Sequence, residues 1–193
     1  MPPRIQGRVV ELIRYYPKIN APFMRDEKGR FVKDQWADPV FERHQDDEWS
    51  WYYKWDGTNV GMTTDGWFGR SERSMFTAEQ ADCLDRWYTN KRDSLLRLES
   101  GLEYLYGELV GPGVQGNPHD FAELAVVEFE RWDVAPHPYG LFWPATLNEM
   151  LTDHRNHDVW FGEHYYYVEG FVGRLVSDPS VATKIKVKDK WSD

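Results

Sequence analysis

The sequence predicts an α+β fold with largely antiparallel sheets, and three observations predict it. Apolar segments of strand length recur along the chain between Gly, Pro, Asn and Asp clusters. One long segment carries the 3.6-residue period of an amphipathic helix. Helices and strands do not alternate regularly, as a parallel βαβ array would require.

The first fifty residues mix Pro17, Pro22, Gly29 and Pro39 with charge. From Trp49 the run Trp51, Tyr52, Tyr53 and Trp55 has the aromatic content of a strand, which Asp56-Gly57 ends in a turn. Thr58–Met62 and Trp67–Gly69 read as the next strands, joined through Asp65-Gly66, a type I′ hairpin signal. Thr77-Ala78-Glu79-Gln80 forms a capping box ahead of Leu84, Trp87, Tyr88, Leu95, Leu98 and Leu102, so a helix is expected to run to about Ser100 or Gly101. Further strand-like segments follow at Tyr104–Val110, Leu124–Val134, Tyr165–Val176 and Ala182–Val187, with a short helix expected around Pro144–Asp153.

Composition narrows the function classes. Aromatic residues make up 16 % of the 193, a payload that disordered chains lack and that cores and stacking sites use. With 23 Lys and Arg against 32 Asp and Glu the net charge is 23 − 32 = −9, which argues against a simple nucleic-acid coat. A nucleic-acid substrate would require the basic residues to be concentrated locally. The lone Cys83 excludes an intrachain disulfide. No apolar stretch is long enough for a bilayer span, and no signal-peptide apolar region follows the first residues. The expectation is a cytoplasmic protein without membrane partners. No repeat or Ser/Gly linker divides the chain, so residues 1–193 are expected to form one domain with no appended C-terminal domain.

Five segments carry candidate chemistry. Lys54-Trp55-Asp56-Gly57 puts an amine at the end of an aromatic strand. Tyr106-Gly107-Glu108 ends a strand on a carboxylate and runs through Gly111 into a Gly-rich loop ending at Asn117. Phe129-Glu130-Arg131-Trp132-Asp133-Val134 is an aromatic strand, Val168-Glu169-Gly170 carries a lone carboxylate, and Lys184-Ile185-Lys186 alternates two cations on one strand face. Taken singly, each has an ordinary structural reading. Phe129 suits a core, Glu169 a solvated edge, and Lys184 with Lys186 a guard against edge-to-edge pairing. His154 and His157, with His164 nearby, have a spacing that could hold zinc, but no Cys or carboxylate motif completes a tetrahedral set, and the six His read as surface residues.

Together and in this order, the five segments resemble the motifs of the covalent nucleotidyltransferase superfamily: ATP-dependent DNA and RNA ligases and mRNA capping enzymes. The resemblance runs from about Tyr16 to Trp191 and is closest to the RNA ligase branch. Asn59 in Lys-x-Asp-Gly-Thr-Asn, where DNA ligases usually carry Arg, and the Gly-Pro-Gly-Val-Gln-Gly-Asn continuation after Glu108 both favour that branch. It implies an ATP-grasp-like nucleotidyltransferase core of two packed sheets flanked by helices, with the nucleotide between them. The implied reaction is ATP-dependent: AMP is joined to Lys54, passed to a 5′-phosphate RNA end, and displaced by a 3′-hydroxyl. A DNA-sealing or capping-type enzyme, or a non-catalytic nucleotide- or RNA-end-binding module, would share the fold.

The resemblance also assigns roles. Lys54 is the nucleophile, with Lys184 and Lys186 on the phosphates. Asn59 and Glu108 take the sugar, and Phe129 stacks on adenine with Trp132 competing for that place. Arg70 receives the terminal phosphate of the RNA, with Arg73 nearby. Glu169 helps to hold Mg²⁺ or Mn²⁺, through water as magnesium prefers. Physical chemistry explains the set: an amine attacks only when unprotonated, the ordinary lysine pKa is about 10.4, and neighbouring cations and a metal favour the neutral form while offsetting phosphate charge. The chain departs from the family at Tyr53, where a Glu is common. The expected single domain, with the acidic balance, predicts weak RNA grip unless a partner protein supplies more.

Overall fold

The computed structural model describes residues 16–97, 104–129, 144–156 and 169–192. Over these the chain is α+β and every paired strand is antiparallel. A two-stranded sheet pairs β1 (Phe23–Arg25) with β2 (Phe31–Trp36). A three-stranded sheet has the order β3-β8-β9, from β3 (Trp49–Lys54), β8 (Gly170–Leu175) and β9 (Ala182–Lys186). A four-stranded sheet has the order β5-β4-β6-β7, from β4 (Thr58–Thr63), β5 (Gly66–Gly69), β6 (Leu105–Val110) and β7 (Ala125–Glu128). The helices are α1 (Pro39–Arg43), α2 (Ala78–Arg97) and α3 (Leu147–Asn156).

Each large sheet buries one face in its own core. Trp49 and Trp51 alternate inward along β3 and meet Phe171, Leu175 and Ile185 of the same sheet, Met150 and Leu151 of α3, and Phe23 and Phe31 of the small sheet. The four-stranded sheet turns Val60, Met62, Leu105 and Leu109 toward Leu84, Trp87 and Leu95 of α2. The helix begins where the sequence places it, because the capping box closes: Gln80 donates its backbone N–H to Thr77 Oγ1 (3.2 Å) and accepts from the Thr77 N–H (3.0 Å). Its expected end at Ser100 or Gly101 lies outside the described residues.

Some expectations need correction. The hairpin at Asp65-Gly66 forms, but Thr63 pairs directly with Gly66, so the central residues are Thr64 and Asp65. Neither has a positive φ, which type I′ requires of both; only Gly66 does, at +153°. The third helix starts at Leu147 rather than Pro144, because a second capping box, Thr146 with Glu149, sets its N-terminus. β1, β2 and α1 were not expected. α1 has only five residues, too few for a visible period, and is started by the Asp38 side chain accepting from Val40 N–H (2.9 Å) with Pro39 in its first turn. Among the described residues no helix is long and apolar enough to cross a membrane.

Candidate active site

The chain passes from the three-stranded to the four-stranded sheet through Lys54-Trp55-Asp56-Gly57, between the end of β3 and the start of β4. Register decides which side chains face that junction. Residues opposite one another in a ladder share a face, and Lys54 lies opposite Gly170, which lies opposite Lys186; one step along, Tyr52, Val172 and Lys184 form the next row. The three lysines therefore project from the face opposite the tryptophan core. In the other sheet Asn59 pairs with Glu108, and Gly61 with Tyr106, on the face turned away from α2.

Glu169 binds the lysine cluster together. It immediately precedes β8, and its backbone is fixed by donating to Lys54 O (2.8 Å) and accepting from Val187 N (3.0 Å). Its Oε2 accepts from Lys54 Nζ and its Oε1 is ion-paired with Lys186 Nζ. Burial pushes the Glu169 carboxyl up, but hydrogen bonds from Lys186 and Lys54 and their charges outweigh it and hold it below its ordinary value. Lys184 has its ammonium pKa lowered, first by burial and then by the charges of Lys54 and Lys186, with Arg70 adding to the effect. Arg70 is exposed just past β5.

Glu169 stands between Lys54 and Lys186 and pairs with both. Among the described residues no three His, Cys, Asp or Glu converge as a metal-holding group. Magnesium often takes only one or two carboxylates together with phosphate oxygens and water, and a single carboxylate such as Glu169 is compatible with that mode.

Glu108 faces the cluster from the four-stranded sheet. Burial raises its carboxyl to about 7; Lys54 and hydrogen bonds from Asn59 and the Gly57 backbone oppose the rise, while Glu169 adds to it. Gly57 must be small here, since a Cβ would strike the Leu109 carbonyl and lie 2.8 Å from Glu108 Cγ. Phe129, just past β7, is half-buried and meets the ring of Tyr16 (4.6 Å between centroids, 61° between planes). Trp132 lies outside the described residues, as do His157 and His164.

No protein-family model and no curated protein matches the chain. Solved RNA ligase structures are similar to it. An apo lysine-to-alanine variant of a Naegleria gruberi RNA ligase is 15 % identical at a TM-score of 0.48, over 90 % of this chain and 62 % of that one. Another such variant, with ATP and Mn, gives 15 % and 0.48 over 90 % and 61 %. The Naegleria gruberi RNA ligase with PPi gives 16 % and 0.48 over 90 % and 62 %. The chain thus spans less than two thirds of the length of these ligase chains.

Three site residues escaped the sequence reading. His119, at the end of the Gly-rich loop, accepts the Asp56 backbone N–H on Nε2 (2.7 Å) and packs edge-on against Trp55, so the loop after β6 returns to brace the lysine turn. Tyr16 accepts from Arg174 Nη2 (2.6 Å) and touches Tyr106 and Phe129, spanning the two sheets; burial raises its phenol pKa against the lowering effect of Arg174. His154, expected at the surface, is fully buried: α3 turns it inward under β9. Trp191 donates Nε1–H to its Nδ1 (3.1 Å), which leaves Nε2–H to donate to the Lys186 carbonyl (3.0 Å). Asp189 Oδ2 accepts the Lys186 N–H (2.8 Å), so both backbone groups of that lysine are held. The contacts of His119, Tyr16 and His154 join residues far apart in sequence and leave no local pattern.

Proposed function

We propose that this chain is the nucleotidyltransferase core of an ATP-dependent RNA ligase, with Lys54 as the residue that carries AMP. The observation that carries the reading is the grip of one carboxylate, Glu169, on both Lys54 and Lys186, with Lys184 in the same electrostatic cluster. The same cluster faces Glu108 and Asn59 across the sheet junction. Separate motifs that resemble those of the family thus converge at one place, and no packing need of either core calls for it.

The chemistry follows from these groups. Lys54 attacks as the free amine once its ammonium proton has passed to solvent. Its free Nζ attacks the α-phosphorus of ATP; the N–P bond forms, the bond from that phosphorus to the bridging oxygen breaks, and the electron pair leaves with pyrophosphate. Lys184 and Lys186 offset the charge that develops on the phosphoryl oxygens. Glu108 and Asn59 hold the ribose hydroxyls and Phe129 receives the adenine face. Mg²⁺ or Mn²⁺, when bound with Glu169 among its holders, would supply further neutralisation of phosphate charge. In the later steps a 5′-phosphate oxygen attacks the lysyl-AMP phosphorus and frees Lys54, and a 3′-hydroxyl then attacks the activated 5′-phosphate and releases AMP. Arg70 binds the 5′-phosphate.

The test is to incubate the protein with α-labelled ATP and Mg²⁺ or Mn²⁺ and denature it. Label that stays with the denatured protein and is released by acid, as a phosphoramidate is, supports the reading. No label under any metal would refute it, and equal transfer from GTP would move it to capping chemistry.

A further inference from the structure

A groove of about 430 Å³ opens beside β9, and it is lined by Lys18, Arg25, Lys184, Lys186 and Lys188 with one carboxylate, Asp189. Five lining cations face one lining anion, and even with Lys186 paired to Glu169 this is a local positive excess in a chain whose net charge is −9. Asp189 is already engaged, accepting from Arg25 Nη2 (2.8 Å) and the Lys186 N–H (2.8 Å). Lys18, Lys184 and Lys188 have no ion-pair partner within salt-bridge distance among the described residues. Guarding a bare strand edge does not account for them, because the outer edge of β9 is covered: Lys184 N donates to Asn20 O (3.0 Å), and Thr183 Oγ1 to the same oxygen (3.1 Å).

We propose that this groove holds the phosphodiester backbone of an RNA strand leading into the Lys54 cluster. The inference rests on the ligase reading and extends it to a surface outside the nucleotide site. Lys184 and Lys186 belong to both groove and cluster, so a strand lying in the groove arrives at the reacting centre. At about 430 Å³ the groove has room for more than a diphosphate. Lys18 and Lys188 are exposed on flexible stems from separate segments, which suits contacts to phosphates irrespective of base sequence. Arg25 is fixed by Asp189 and by the Phe31 ring (4.5 Å to its centroid), and contributes charge rather than a free fork.

The experiment compares the wild-type chain with a Lys18→Ala/Lys188→Ala variant and a control of equal charge change away from the groove, Lys33→Ala/Arg43→Ala. Binding of a fluorescent 5′-phosphorylated single-stranded RNA is followed by anisotropy across a salt series without ATP, and the KM for ATP in self-adenylation is measured separately. The groove variant should bind more weakly than the control, with a log K against log salt slope shallower by about 1.4, two contacts at about 0.7 each, and an unchanged KM for ATP. Loss equal to the control's, unchanged RNA binding, or no RNA binding by the wild type would overturn the proposal. A raised KM for ATP with RNA binding intact would also overturn it, assigning the groove to the ATP phosphates. Because binding is read without catalysis, a chain that binds RNA through the groove but never self-adenylates would refute the ligase reading alone.

Discussion

Both carboxylate oxygens of Glu169 are taken by ammoniums, Lys54 on one and Lys186 on the other. Glu169→Gln removes the charge that holds the pair and turns an amide N–H₂ toward one ammonium. Self-adenylation is expected to fall about 100-fold in single-turnover labelling, with little change in Tm, since the side chain belongs to neither core. Glu108 makes a pH-dependent contribution. Its folded-state pKa of about 7 lies above the ordinary 4.5, so folding takes up a proton at this group. The stability it contributes is full below pH 4.5 and is lost as pH rises through about 7. Relative to Glu108→Gln, wild type should therefore lose Tm between pH 4.5 and 7 and change little above; parallel Tm curves would contradict the burial that raises it. Lys54, Asn59, Glu108, Lys184 and Lys186 were legible because strand alternation and a turn fix where each points. His119, Tyr16 and His154 were not, because a partner 63 residues away, as His119 is from Asp56, leaves no mark on local sequence.

At the scale of elements, the turn between β3 and β4 is fitted tightly against β6. Gly57→Ala keeps an allowed backbone but drives its methyl into the Leu109 carbonyl and the Glu108 stem. The expected cost is about 1–3 kcal/mol in denaturant unfolding, with a larger proportional loss of self-adenylation because Glu108 is displaced. Unchanged stability and activity would mean that turn and strand separate freely. The long elements were readable for reasons the structure makes plain: α2 buries a continuous stripe and carries a closed capping box, and β3 alternates Trp49 and Trp51 into the core. β2 was not, because five of its six residues are half-buried or exposed and no alternation reaches the sequence. The turn of the β4–β5 hairpin was misplaced by one residue, since the glycine is needed at the first paired position and not inside the turn.

Across the whole molecule, two sheets with separate cores meet where the lysine turn crosses between them, and the proposed nucleotide chemistry draws on residues at that junction. In the proposed function adenylation needs only that junction, whereas joining also needs RNA held by charge on an acidic protein. Joining should therefore fall steeply as salt rises while adenylation persists, and Arg70→Ala should spare adenylation and impair AMP transfer to the RNA end. Joining of free strands that is indifferent to salt would contradict this. The most direct test of the central claim is the site of the adduct. After incubation with ATP and Mg²⁺, peptide mass spectrometry should find one adenylyl group on Lys54 and none in folded Lys54→Arg, whose guanidinium is never neutral and cannot attack. An adenylyl group on another residue, or adduct in Lys54→Arg at the wild-type level, would contradict the account.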